Sequence, residues 1–210
     1  MKLFRKAVGM LGANCMVACA DAERAAVVVD PGGDAPELLR LLDAEGLRVA
    51  AYFLTHGHVD HVAGLAEMAA ARPAPVYIHP ADAAWCFGER NCIPGFYDSP
   101  RPLPAGIAVL PPPAEGTDLW VAGLRWRAME TPGHTPGGIC WLLPDEETVL
   151  TGDTLFAGAV GRTDLPGGDP ATLQASLERL MELPDAWRVL PGHEGESTIG
   201  TERRTNPWLA

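Results

Sequence analysis

Four apolar runs in this chain end the same way, in a turn where glycine stands beside a histidine or an aspartate. Leu54 is followed by Thr55-His56-Gly57-His58, and Met129-Glu130 by Thr131-Pro132-Gly133-His134. Leu150 is followed by Thr151-Gly152-Asp153, and Leu190 by Pro191-Gly192-His193. Glycine permits the sharp backbone path that lets a neighbouring side chain project over the end of a sheet. In open α/β folds, sites gather at the carboxyl ends of strands. Four such ends are therefore expected to meet at one edge of an α/β structure.

The first end is the richest. Thr55-His56-Gly57-His58-Val59-Asp60-His61 places three imidazoles and a carboxylate within six residues. Neutral imidazole is the commonest metal-binding side chain, and carboxylate oxygen is its normal companion on zinc or iron. Burying these groups for packing alone would cost roughly 2 kcal/mol per unmet hydrogen bond. Pooled over the four ends, the candidate ligands are His56, His58, Asp60, His61, His134, Asp153 and His193. That set suits two divalent ions, with Asp153, alone at its own strand end, as the bridge. His79, in Ile78-His79-Pro80, has no such companions and is expected to be structural.

The remaining chain reads as alternating strands and helices. Leu3 to Val8, Cys15 to Ala20 and Ala25 to Val29 form three short strands, the last stopped by Asp30-Pro31-Gly32-Gly33. A helix from about Pro36 to Glu45 ends at Gly46, and Val49 to Leu54 is continuously apolar, as in a strand covered on both faces. A helix is expected over Val62 to Ala71, a strand over Val76 to Ile78, and another helix over Ala81 to Phe87. Residues 91–116 are proline-rich and read as a long ordered loop. Strands return at Leu119 to Val121, Leu124 to Met129, Gly138 to Leu143 and Thr148 to Leu150. Asp169 as N-cap and Pro170 at the first position open a helix to Leu183, Trp187 to Leu190 is the last strand, and residues 200–210 read as a polar tail.

At 210 residues and 47% hydrophobic content, one domain spanning residues 1–210 is expected. A net charge of −11 argues against a nucleic-acid partner or an anionic membrane surface, each of which needs a basic stripe. No 18-residue apolar run is present, so no membrane span is expected. Five cysteines without a CxxC pair do not read as a disulfide framework. Gly9, Gly12 and Asn14 interrupt the N-terminal apolar stretch, so it reads as strands rather than a signal peptide. The expected location is cytoplasmic.

The pattern His56-x-His58-x-Asp60-His61, with His134, Asp153 and His193 downstream, resembles the metallo-β-lactamase superfamily over essentially the whole chain. The resemblance implies an αββα sandwich: two mixed sheets packed face to face, helices outside, and a metal site at one edge. Within the superfamily the chain looks most like glyoxalase II, the hydroxyacylglutathione hydrolases. The segments Gly161 to Asp169 and Thr198 to Pro207 look like the short bacterial branch of that group. By that likeness His56, His58 and His134 hold one metal, and Asp60, His61 and His193 hold the other. Asp153 bridges them, zinc is the first choice, and iron or manganese are alternatives. The implied reaction is hydrolysis of a small-molecule thioester such as S-lactoylglutathione by a metal-bridging hydroxide, with Asp60 and Asp153 catalytic. Where those enzymes place a basic residue and then a tyrosine two positions on, this chain has Arg162 and Asp164, leaving Arg162 as the candidate for a substrate carboxylate. The rivals are a persulfide dioxygenase-like enzyme with one iron on His56, His134 and Asp153, and a lactonase.

Overall fold

The computed structural model describes residues 1–209. Two six-stranded mixed sheets face each other. The first takes β1 (Lys2–Val8), β2 (Ala13–Cys19), β3 (Ala25–Val29), β4 (Arg48–Phe53), β5 (Val76–Tyr77) and β6 (Val109–Leu110), in that spatial order. The second is formed by β7 (Leu119–Val121), β8 (Leu124–Glu130), β9 (Ile139–Leu143), β10 (Thr148–Gly152), β13 (Arg188–Pro191) and β14 (Ser197–Thr198). A separate two-stranded ribbon, β11 (Leu155–Phe156) with β12 (Ala159–Val160), follows β10. The helices are α1 (Ala35–Glu45), α2 (Val59–Val62), α3 (Leu65–Ala71), α4 (Pro80–Ala83), α5 (Pro170–Leu180) and α6 (Ile199–Thr205).

Alternation along the strands explains why so many read as unbroken apolar runs. On β2, Met16 and Ala18 point into the space between the sheets, while Cys15, Val17 and Cys19 point out to the helices. Residues on both faces are covered, so neither face needs polar side chains. Phe53 of β4 stacks on Trp141 of β9, with ring centroids 4.1 Å apart, and meets Trp126 edge-on at 5.0 Å. Outside the first sheet, Leu38 and Leu42 of α1 pack with Leu65 and Met68 of α3. Outside the second, Leu173, Leu177 and Leu180 of α5 pack with Ile199 of α6. This is the expected αββα sandwich.

Strand direction places the chemistry. β3 and β4 are parallel neighbours, so they end at one edge. In the second sheet β10 and β13 are parallel, and β8 and β10 run the same way because each is antiparallel to β9. The carboxyl ends of β8, β10 and β13 therefore share an edge too. Cross-links tie the two edges together: Ile139 N donates to Thr55 O at 2.8 Å, Trp141 Nε1 to Leu54 O at 3.0 Å, and Asn14 N to Gly192 O at 2.7 Å.

Several expectations need correction. The helix expected over Val62 to Ala71 is two helices, α2 and α3, parted at Ala63-Gly64. Gly64 N donates to Pro31 O at 2.9 Å, and a Cβ at Gly64 would come within 2.7 Å of that oxygen, so this contact ends α2. The helix expected from Ala81 to Phe87 is only the single turn α4 with looser turns beyond. The polar tail is largely helix α6, whose Thr198 cap accepts from Thr201 N and whose Glu202 is buried. The hairpin of β11 and β12 was not anticipated. Cys15, Cys19, Cys86 and Cys140 are buried and free, and burial pushes their thiols above the ordinary range, as suits packing residues. Among the described residues no helix is long and apolar enough to cross a membrane.

Candidate metal centre

All seven sequence-derived ligands meet at the shared edge. Three ligand groups stand within mutual reach: His56, His58 and His134; Asp60, His61 and His193; and Asp30, His56 and His61. Asp153 lies between the first two. Its Oδ2 is 3.7 Å from both His134 Nε2 and His193 Nε2, and its Oδ1 is 3.3 Å from His61 Nε2. Gly192 is required here, because a Cβ would run into Asp153 Oδ1 and come within 2.8 Å of the His61 ring. Gly152, at φ 49°, makes the left-handed turn that aims Asp153, and its missing side chain leaves room for Thr55.

The hydrogen-bond network fixes which ring nitrogens face the centre. Thr55 has one hydroxyl proton and gives it to Asp30 Oδ2 at 2.6 Å. The 3.0 Å contact between Thr55 Oγ1 and His56 Nδ1 must then be donated by the histidine, which leaves His56 Nε2 as a bare acceptor. That nitrogen is buried and has no hydrogen-bond partner. His134 Nδ1 faces Arg162 O at 2.7 Å, and a carbonyl only accepts, so His134 Nε2 is bare as well. It meets His58 Nδ1 at 2.9 Å. His61 Nδ1 donates to Asp30 Oδ2 at 3.0 Å, directing Nε2 inward, 3.3 Å from His193 Nε2. Such outer partners orient and polarise metal-bound imidazoles.

Charge points the same way. Burial and the neighbouring imidazoles push His56 well below the usual range, and burial with His134 pushes His58 down to about 4. His56 and His58 are therefore neutral and offer lone pairs. Burial would also lower His61, but Asp153, Asp60 and Asp30 outweigh it and hold the ring well above its usual value. His193 is likewise drawn up, its bond to Asp60 prevailing over burial. Burial would raise Asp60 and Asp153, yet the facing imidazoles keep both carboxyls low and ionised. Bare buried nitrogens beside carboxylates that recruit protons describe a cluster short of cations, and divalent metal fits it. Asp153 Oδ1, buried without a hydrogen bond, is the carboxylate counterpart of His56 Nε2.

Arg162 contributes its carbonyl to His134, while its exposed guanidinium pairs with Asp164 through two 2.7 Å bonds. His79 stands apart from the ligands, its Nδ1 accepting from Ala81 N at the start of α4, as expected of a structural residue. The residue that sequence reading missed is Asp30. It sits at the end of β3, beside the end of β4, and was read only as part of a Pro-Gly-Gly stop. Its signal was available: an acid at an apolar strand end, the same device used at the other four. Trp85 and Phe156 lie beside the ligands, with ring centroids 5.6 Å from His58 and 6.1 Å from His193.

The chain belongs to the metallo-β-lactamase superfamily, whose pattern it matches over residues 8–193. That makes it a member of a metallo-hydrolase superfamily carrying His/Asp metal-site candidates. Hydroxyacylglutathione hydrolase GloC of Haemophilus influenzae is 34% identical over 205 residues, spanning 93% of this chain and 92% of the relative. Among solved structures, the BLEG-1 B3 metallo-beta-lactamase superposes with a TM-score of 0.90 at 31% identity, covering 100% of both chains. TTHA1623, solved in a di-iron-bound form, superposes with a TM-score of 0.85 at 38% identity, covering 98% of this chain and 100% of that one.

Proposed function

We propose that this chain is a dinuclear metallo-hydrolase that cleaves thioesters of the S-lactoylglutathione type. The observation that carries this reading is the position of Asp153 between two complete ligand triads. His56, His58 and His134 would hold one ion, Asp60, His61 and His193 the other, and Asp153 would touch both. The 2.9 Å approach of His58 Nδ1 to His134 Nε2 favours a site that uses His58 over a single iron on His56, His134 and Asp153. Zinc suits this nitrogen-rich set, and the di-iron relative keeps iron as the alternative metal.

When bound, such a pair lowers the pKa of water from about 16 toward 7 and polarises an acyl carbonyl. Asp60, buried and held ionised by the facing imidazoles, would accept the O–H of the attacking water and so fix its direction. The rings of Trp85 and Phe156, beside His58 and His193, would offer apolar contact to the acyl group. A thiolate leaves without help from a dedicated acid, so the lack of a further titrating group among the named site residues does not count against a thioester. The similarity to GloC supports the glutathione half of the proposal.

Metal analysis combined with an S-lactoylglutathione assay tests the reading. Two ions per chain, with hydrolysis abolished by chelation and restored by zinc, are expected. One iron per chain with oxygen uptake on glutathione persulfide would replace the proposal by its dioxygenase rival, and turnover of acyl-homoserine lactones alone would replace it by a lactonase. Metal uptake should also release protons. His61 and His193 are held above their usual pKa in the metal-free cluster and carry protons near neutrality, yet bind metal only when neutral. His56 and His58 are already neutral and contribute none. Calorimetry at pH 7 in buffers of different ionisation enthalpy should report about one to two protons from these histidines per chain, a share that falls as pH rises, and up to about one more from water ionised between the ions.

Arg162 is proposed to meet a substrate carboxylate, in competition with Asp164. Arg162→Ala should raise KM about three- to tenfold with metal content unchanged, because the carbonyl that orients His134 survives the substitution. An unchanged KM would remove Arg162 from the substrate site.

A further inference from the structure

Asp82 is fully buried on α4, and its side chain makes three hydrogen bonds. Oδ2 accepts from Gly57 N at 2.8 Å and from Thr135 Oγ1 at 2.7 Å, while Oδ1 accepts from Gly137 N at 2.7 Å. All three donors lie in the two segments that carry His56, His58 and His134. Gly57 separates the first two histidines, and Thr135 follows the third. The far side of Gly57 is held as well, because Asn91 Nδ2 donates to its carbonyl at 2.8 Å and to Cys86 O at 2.6 Å. Both peptide groups around Gly57 are thus fixed, and with them the angle at which His56 and His58 diverge.

The close approach is built into the chain. A Cβ at Gly57 would lie 2.8 Å from Cys86 Cβ, and one at Gly137 would lie 2.8 Å from the Asp82 carboxyl carbon. Both glycines leave room for α4 and the turn after it to press against the ligand loops. Asp82 is not among the groups within ligand reach of the centre. Three donors from two chain segments on one carboxylate form a clamp, and the clamp holds only one of the two triads. Asp60, His61 and His193 are supported instead through Asp30 and Asn14, the latter donating to Pro191 O at 3.0 Å.

We propose that Asp82 is a positioning residue for the three-histidine site, locking the loop of His56 and His58 to the loop of His134 so that one ion binds tightly there. The inference rests on the reading that those histidines hold metal. Asparagine cannot replace the carboxylate, since its amide presents one acceptor oxygen and in either orientation turns its NH2 group against a backbone N–H, that of Gly137 or that of Gly57.

Cadmium-113 NMR and zinc competition titrations on the full chain resolve the two sites. The wild type should take up two ions. Asp82→Asn should weaken the three-histidine site about 10- to 100-fold and shift its cadmium resonance, leaving the Asp60–His61–His193 site within about threefold. Thr135→Val removes one of the three donors and should act on the same site, by a smaller factor. It decides the matter by itself if Asp82→Asn does not fold. Both affinities intact, or both lowered alike, in a wild-type background of two ions overturns the clamp alone. A wild type that takes up no ion at the three histidines overturns the metal reading, and this inference with it.

Discussion

Replacing Asp153 with alanine is expected to remove turnover by at least about a thousandfold and to reduce bound metal from two ions to one or none. Loss of several kcal/mol of charge stabilisation corresponds to a factor of that order. The argument is geometric. Asp153 has an oxygen near each triad, Oδ1 3.3 Å from His61 and Oδ2 3.7 Å from His134. Its removal leaves the imidazoles facing one another across a gap with less negative charge to offset two dications. Asp153→Asn should behave similarly for metal content, because a neutral amide offers one weaker acceptor. Metal analysis and thioester hydrolysis on the same preparation make the check, and near-normal activity in Asp153→Ala would sink the dinuclear mechanism.

What the sequence revealed and what it hid divide along physical lines. The ligands were legible because each of the four ligand-bearing turns follows an apolar run and contains a glycine, and that signal is local. Direction could be inferred only once strand order was known: His134 joins the centre because β8 and β10 run the same way, and no motif states this. α6 was invisible for the opposite reason. Its buried acid, Glu202, is satisfied by the nearby Ser197 and Asn206 and by Gly158 N, 44 residues away, which the local sequence does not announce. In sequence such a residue looks like solvent-facing polarity. The break between α2 and α3 is likewise tertiary, set by Pro31 pressing on Gly64. Asp82 and Asp30 fell between these cases, being acids whose importance lies in donors supplied by distant loops.

Asp30 leads to the second large effect. Asp30→Asn is expected to lower metal affinity at both sites by about 10- to 100-fold each while leaving the fold intact. The residue is buried with φ 48°, a conformation asparagine adopts at least as readily as aspartate, so backbone strain does not enter. Hydrogen-bond direction does. The carboxylate accepts from Thr55 N at 2.8 Å, Thr55 Oγ1 at 2.6 Å and His61 Nδ1 at 3.0 Å. With the amide oxygen kept on Thr55 N, the new NH2 donates to His61 Nδ1 and to Thr55 Oγ1. His61 must then carry its proton on Nε2. Thr55, its oxygen now an acceptor, turns its own proton onto His56 Nδ1, which moves the His56 proton to Nε2 as well. Both ligating nitrogens are blocked, one in each triad. Turning the amide round instead sets its NH2 against Thr55 N–H, at a cost of about 1–3 kcal/mol. Thr55→Val separates the two arms, since it cuts the relay to His56 and spares His61. Its effect should fall on the three-histidine site only. Zinc titration of the three proteins decides the point: if Asp30→Asn binds both ions as the wild type does, Asp30 does not set the tautomers, and the bare Nε2 of His56 needs another cause.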